Sequence, residues 1–149
     1  MLQLDDILKL WEQDSKIDEV NLDTASIKSA ALHSKYLELY SLAKLNLKKK
    51  DLSMAYLRKD KWLYYNGKMT KEEMDQKGWQ YDPFNGMTKP LKSDMDMFYD
   101  TDPDIMKLRG QIEYQSTIVD TLKDIMENIK WRHTTIKNII TWKQFTSGA

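Results

Sequence analysis

The chain has 149 residues, enough for one domain or one compact piece with long extensions, and its 41% apolar content is sufficient for a core. Five glycines and three prolines weigh against a β-sandwich or a disordered linker, and the lack of cysteine excludes a disulfide framework or a thiolate metal site. The formal charge of zero conceals sorting: residues 1–24 carry two cations and seven acids, residues 25–71 eleven and three, residues 72–104 three and nine, and residues 105–149 seven and four. Affinity for a polyanion is therefore judged by segment.

In chain order, Leu4, Ile7, Leu8 and Trp11 fall on one face of a short helix over about residues 3–13, followed by an acidic linker, Asp14–Glu19. Asn21 or Asp23 is placed to cap a long helix, on which Leu22, Ala25, Ser29, Leu32, Tyr36, Leu39 and Ala43 form a 3-4 seam. That helix continues without proline to Tyr65, where Asn66-Gly67 supplies a left-handed stop. Residues 67–101 hold three of the five glycines and read as a loop, with Trp79-Gln80-Tyr81 and the Asn85-Gly86 turn suggesting a short hairpin. Asp102 as cap and Pro103 at the first helical position then start a last helix that runs to about Phe145.

On this last helix Ile105, Leu108, Ile112, Gln115, Val119, Leu122, Met126, Ile129, His133, Ile136 and Ile140 repeat in a 3-4 rhythm. Forty helical residues span roughly 60 Å at 1.5 Å per residue. A compact globule of this length has a radius of gyration of only about 15 Å, so the chain is too small to cover such a stripe along its whole length. Ile112, Val119, Leu122, Met126, Ile129, Ile136 and Ile140 are accordingly the expected oligomerisation residues, with Gln115 and His133 as polar register-setters. The alternative is an antiparallel pairing of the two long helices, and the two readings combine if an outer strip remains for neighbouring subunits. The expected fold is mainly α, in one structural unit: residues 1–101 form the N-terminal helical region with its basic stretch and acidic loop, and residues 102–149 the coiled-coil-like helix through which a homo-oligomer assembles.

The stretch Arg58–Lys68 packs four cations and three aromatics into the end of the first long helix. Arg58, Lys59, Lys61 and Lys68 are suited to neutralise backbone phosphates, and Trp62 and Tyr64, with Tyr65 beside them, to stack on bases. Each aromatic taken singly reads better as core, whereas the upstream run Lys48-Lys49-Lys50 favours a functional surface. Lys123, Lys130, Arg132 and Lys137 are spread around the last helix and read as interface rim or solvated face.

Enzyme signatures are lacking. No phosphate-cradling Gly-x-x-x-x-Gly-Lys-Ser/Thr run exists, and Asp94, Asp96, Asp100, Asp102 and Asp104 match no calcium loop. His33 and His133 belong to no recognisable triad, so no catalysis and no cofactor is expected. There is no apolar run of 18 residues, and the N-terminal stretch is acidic and amphipathic, so the expectation is a soluble, cytoplasmic protein without a membrane role. Two functions from different classes fit: a single-strand-binding oligomer, or a structural coiled-coil scaffold or adaptor without nucleic acid.

Three segments narrow this choice: Lys16–Leu39, Lys59–Lys68 ("KDKWLYYNGK") and Ile129–Gly148. In order and spacing they resemble the UvsY family of recombination mediators of T-even-type bacteriophages. The most specific element is the basic-x-basic pair ahead of Tyr64-Tyr65 and Gly67, and the resemblance is weakest across residues 69–100. It implies a closed homo-oligomeric ring, heptameric where the family's architecture is known, acting in the host cytoplasm. That ring would bind single-stranded DNA and load a UvsX-type recombinase onto DNA coated by the phage single-strand-binding protein. It also implies a DNA-binding pair at Lys59 and Lys61, the second typically arginine in the family, and assembly through residues 104–145.

Overall fold

A computed structural model describes residues 2–148. The elements are α1 (Leu4–Asp14), α2 (Leu22–Tyr65), α3 (Lys71–Lys77), a 3-10 turn (Lys92–Asp94), α4 (Met95–Thr101) and α5 (Pro103–Thr146). No strand occurs among the described residues. Both long helices expected from the sequence are present with ends within a residue or two of those expected, and α2 closes on Gly67 at φ 68°.

The chain divides into two compact units. One comprises the chain up to Leu47 together with everything from Tyr114 onward, and the other is Lys48–Glu113. The division thus cuts across both long helices.

In the first unit, α1, the early part of α2 and the later part of α5 share one core. It is built from Ile7, Leu32, Tyr36, Ala43, Ile118, Leu122, Ile125 and Ile129, with Leu4, Trp11, Val119 and Met126 packed against it. Here α2 and α5 run antiparallel, and Gln115 fixes their register by donating from Nε2 to the Ala43 carbonyl at 3.0 Å. The Tyr114 hydroxyl ties down the start of α1, accepting from the Leu4 amide and donating to the Gln3 side chain, both at 2.9 Å.

Arg132, expected on a rim or solvated face, is buried. Its guanidinium donates to the carbonyls of Ser15 at 3.1 Å and Lys16 at 3.0 Å, where α1 has run out of amide donors. Beside it Asp14 accepts from Lys35 at 2.6 Å and from the Tyr36 hydroxyl at 3.0 Å.

The second unit contains the end of α2, the helices α3 and α4, and the start of α5. The expected hairpin at residues 79–86 does not form. Thr70 and Glu73 make a reciprocal capping box that starts α3, and Gly78, at φ 69°, ends it. The Trp79 amide then donates to the Met74 carbonyl at 2.9 Å, so it closes a helix instead of joining a ladder. Tyr64, Met69 and Met74 form one apolar cluster here, and Met95, Tyr99 and Ile105 another.

Candidate nucleic-acid interface

The end of α2 carries two faces of opposite character. Residues two apart on a helix point to nearly opposite sides, so alternating basic and aromatic residues cannot all face one ligand. Facing outward at 3-4 spacing are Lys49, Leu52, Tyr56, Lys59 and Trp62, with Lys48 alongside. Tyr56 is 72% exposed and Trp62 39%. The Lys68 ammonium sits 4.6 Å from the Trp62 ring centroid, which places a cation over one face of that indole. Lys59 and Lys68 have no carboxylate within ion-pairing distance among the described residues.

Facing inward are Lys61 and Tyr64, and here the structure departs from the sequence expectation. Lys61 is 3% exposed, with its ammonium 3.0 Å from Asp102, 2.8 Å from Asp104 and 3.8 Å from the Trp79 ring centroid. Tyr64 is buried and donates its hydroxyl to the Gln80 carbonyl at 2.7 Å. In this arrangement neither side chain belongs to the outward basic, aromatic face of α2.

Asp102 is the hub of the inward face. It accepts from the Tyr65 hydroxyl at 2.6 Å, and its other oxygen accepts from the amides of Asp104 at 3.0 Å and Ile105 at 3.1 Å, which is the capping role read from the sequence. Burial pushes its carboxyl upward, but the bonds from Tyr65, the Ile105 amide and Lys61, with the Lys61 charge, outweigh burial. The group is held below the ordinary carboxylate range. The Tyr65 phenol is pushed far up by burial and by its bond to Asp102, so it stays protonated as a donor.

The other predicted cation, Arg58, lies between these extremes. Its guanidinium is 4.4 Å from the Tyr99 ring centroid and reaches Asp96 only at 3.9 Å. The acidic segment therefore has definite work: Asp96, Asp100, Asp102 and Asp104 pair with Arg58, Arg109 and Lys61. Lys48, Lys49, Lys50, Lys59, Lys68, Lys71 and Lys89 are left unpaired among the described residues. Tyr56 is the residue that sequence reading missed. Its signal was its place three residues before Lys59 and four after Leu52 on a face whose other members are basic or exposed.

The expected assembly stripe fares differently along its length. Leu122, Ile129 and Ile136 are buried within the subunit, and Ile112, Val119 and Met126 are half-buried. Leu122 and Ile129 are occupied by the chain's own core, because α1 and α2 cover that side of α5. Ile140 stays open, and so do Trp131, Trp142 and Phe145. At 100° per residue those three aromatics lie on the side of α5 opposite Leu122 and Ile129. Trp142 and Phe145 stack on each other with ring centroids 5.8 Å apart.

These features define a class: an all-helical protein that displays a basic, aromatic helix face and an open aromatic strip on its last helix. A family described as "Recombination, repair and ssDNA binding protein UvsY" matches residues 10–149. The chain belongs to this family. The recombination protein UvsY of Enterobacteria phage T4 is 23% identical to it over 147 residues, 99% of each chain. A crystal structure of the bacteriophage T4 recombination mediator protein UvsY superposes with a TM-score of 0.81 at 22% identity, covering 99% of both chains. A second lattice of the same protein gives 0.78 at 23% identity, covering 95% of this chain and 98% of that one. Among the described residues, no helix is long and apolar enough to cross a membrane.

Proposed function

We propose that this protein is a recombination mediator that binds single-stranded DNA along the outer face of α2 and presents it from several joined subunits. The observation that carries this reading is the exposed stripe Lys49, Tyr56, Lys59 and Trp62, extended by Lys68. It alternates free ammonium groups with open rings, the combination that holds a strand without reading its sequence. Arg58 supports the edge of this stripe. Lys61 and Tyr64 serve it indirectly by fixing the helix that carries it.

A few phosphate contacts per subunit give weak binding alone. Subunits joined through α5 convert later contacts into intramolecular ones and raise the hold through effective concentration. The open strip Trp131, Trp142 and Phe145 is the surface we assign to that assembly. The ring, heptameric by resemblance, would hold DNA in a path that loosens the single-strand-binding protein and hands the strand to a UvsX-type recombinase in the host cytoplasm. The chemistry required is binding and release, with no bond made or broken by the protein.

The test is a salt titration of oligo-dT binding. Every phosphate that the protein ceases to neutralise lowers the slope of log K against log salt by about 0.7 for a single strand. Lys59→Ala and Lys68→Ala are each expected to flatten the slope by about that amount per subunit engaged. A parental slope in both variants would refute the assignment of this face.

A further inference from the structure

In the second unit, the loop after α3 turns back toward the end of α2 and borders a half-open recess of about 350 Å³. That volume lies within the range of pockets that hold small organic groups, about 300–1,000 Å³. Its walls include Tyr64, Tyr65, Tyr81 and Phe84, with Met74 and Met87. The phenols of Tyr64 and Tyr65 are committed elsewhere, to the Gln80 carbonyl and to Asp102. Phe84 is braced between Tyr65 and Phe98, at 6.0 and 5.6 Å between centroids. Tyr64, Tyr65 and Phe84 are therefore held in place before any ligand arrives, which lowers the ordering cost of binding.

The surroundings of the cavity are cationic. Lys89 lines it and lies so close over Gly67 that a Cβ there would stand 2.5 Å from its ammonium nitrogen. The Lys71 ammonium is 5.7 Å from the ring centroid of Tyr81, another lining residue. Neither of these two lysines has a carboxylate within ion-pairing distance among the described residues. Asp82, the acid in the lining, already accepts from the Gly86 amide at 2.7 Å.

We propose that this recess is a subsite for one unstacked base of a single strand, with the flanking phosphates met by Lys71 and Lys89. The proposal rests on the single-strand-binding reading and adds to it a discrete, base-sized site distinct from the open rings on the outer face of α2. A recess walled by aromatic rings, with free cations beside it, suits a group that is itself aromatic and carries phosphate on either side. An aromatic side chain of a protein partner would fill the same space but would leave the two lysines unanswered.

The test compares oligo-dT with an abasic strand of the same length and phosphate number, using the full chain. The parent is expected to prefer oligo-dT, and Tyr81→Ser and Phe84→Leu to reduce that preference about fivefold or more, the low end of what one stacked base contributes. Their affinity for the abasic strand should stay at the parental value. Thermal melts monitor folding, and because Tyr81 is exposed, Tyr81→Ser decides the matter alone if Phe84→Leu fails to fold. A parental preference in the folded variants overturns the subsite while leaving single-strand binding intact. If the parent binds neither strand, the functional reading itself falls and the subsite with it.

Discussion

Lys59 and Lys61 show how much two positions along a helix can change a residue's task. Both are lysines in one basic run, yet one is solvated and unpaired while the other lies between two aspartates and an indole. Removing one partner of a buried ion pair typically costs about 3–5 kcal/mol, because the other charge is left without compensation. Lys61→Ala is therefore expected to lower stability by roughly that amount in urea melts, whereas Lys59→Ala should leave the midpoint unchanged and alter only DNA binding. A Lys61→Ala protein as stable as the parent would show that Asp102 needs no ammonium. Asp102 also sets an acid limit. Its folded-state pKa is depressed below the unfolded value of about 3.9, so its contribution is complete above that value and is lost as pH falls through the folded-state value. Stability of the parent should decline below about pH 4, and Asp102→Asn, already weakened at neutral pH, should decline less steeply. Parallel curves for the two proteins would place the acid sensitivity elsewhere.

The two long helices separate by face. On α5, the side bearing Leu122 and Ile129 is core, and the side bearing Trp131, Trp142 and Phe145 is open. Leu122→Ala should cost about 2–5 kcal/mol in stability through reduced burial and a residual cavity. Trp142→Ala should leave the melt of the isolated subunit almost unaltered and weaken self-association, as read by sedimentation against concentration. Reversed effects would mean that the stripe chosen from the sequence is the assembly surface after all. Of the shorter helices, α3 was legible in principle: Thr70 followed by Glu73, with Gly78 just past the end, is a complete start and stop signal. The hairpin reading arose because Trp79, Tyr81 and Asn85-Gly86 also satisfy a strand-turn pattern, which local sequence cannot distinguish from a loop.

For the whole molecule the proposal couples self-association to DNA binding. Light scattering with and without oligo-dT should give a multimer in both cases, with Trp142→Ala combined with Phe145→Ala lowering both the mass and the apparent DNA affinity. A monomeric parent at micromolar concentration would remove the multivalent part of the mechanism and leave only the weak single-subunit contacts.

Local signals in the chain were enough to determine the helical class, the two long helices and their ends. A cap is satisfied by neighbours a few residues away, and Asn66-Gly67 and Asp102-Pro103 declare themselves without any partner. The general placement of a basic, aromatic segment near the end of α2 was equally local. Tertiary structure alone decided which members of that segment face water and which side of α5 stays open. Apolar periodicity marks a face as buried without naming what buries it, and charge marks a residue as needing a partner without saying whether that partner is solvent, Asp102 or a phosphate. For Lys61 the answer came from acids at the start of α5, and for Leu122 from α1 and α2.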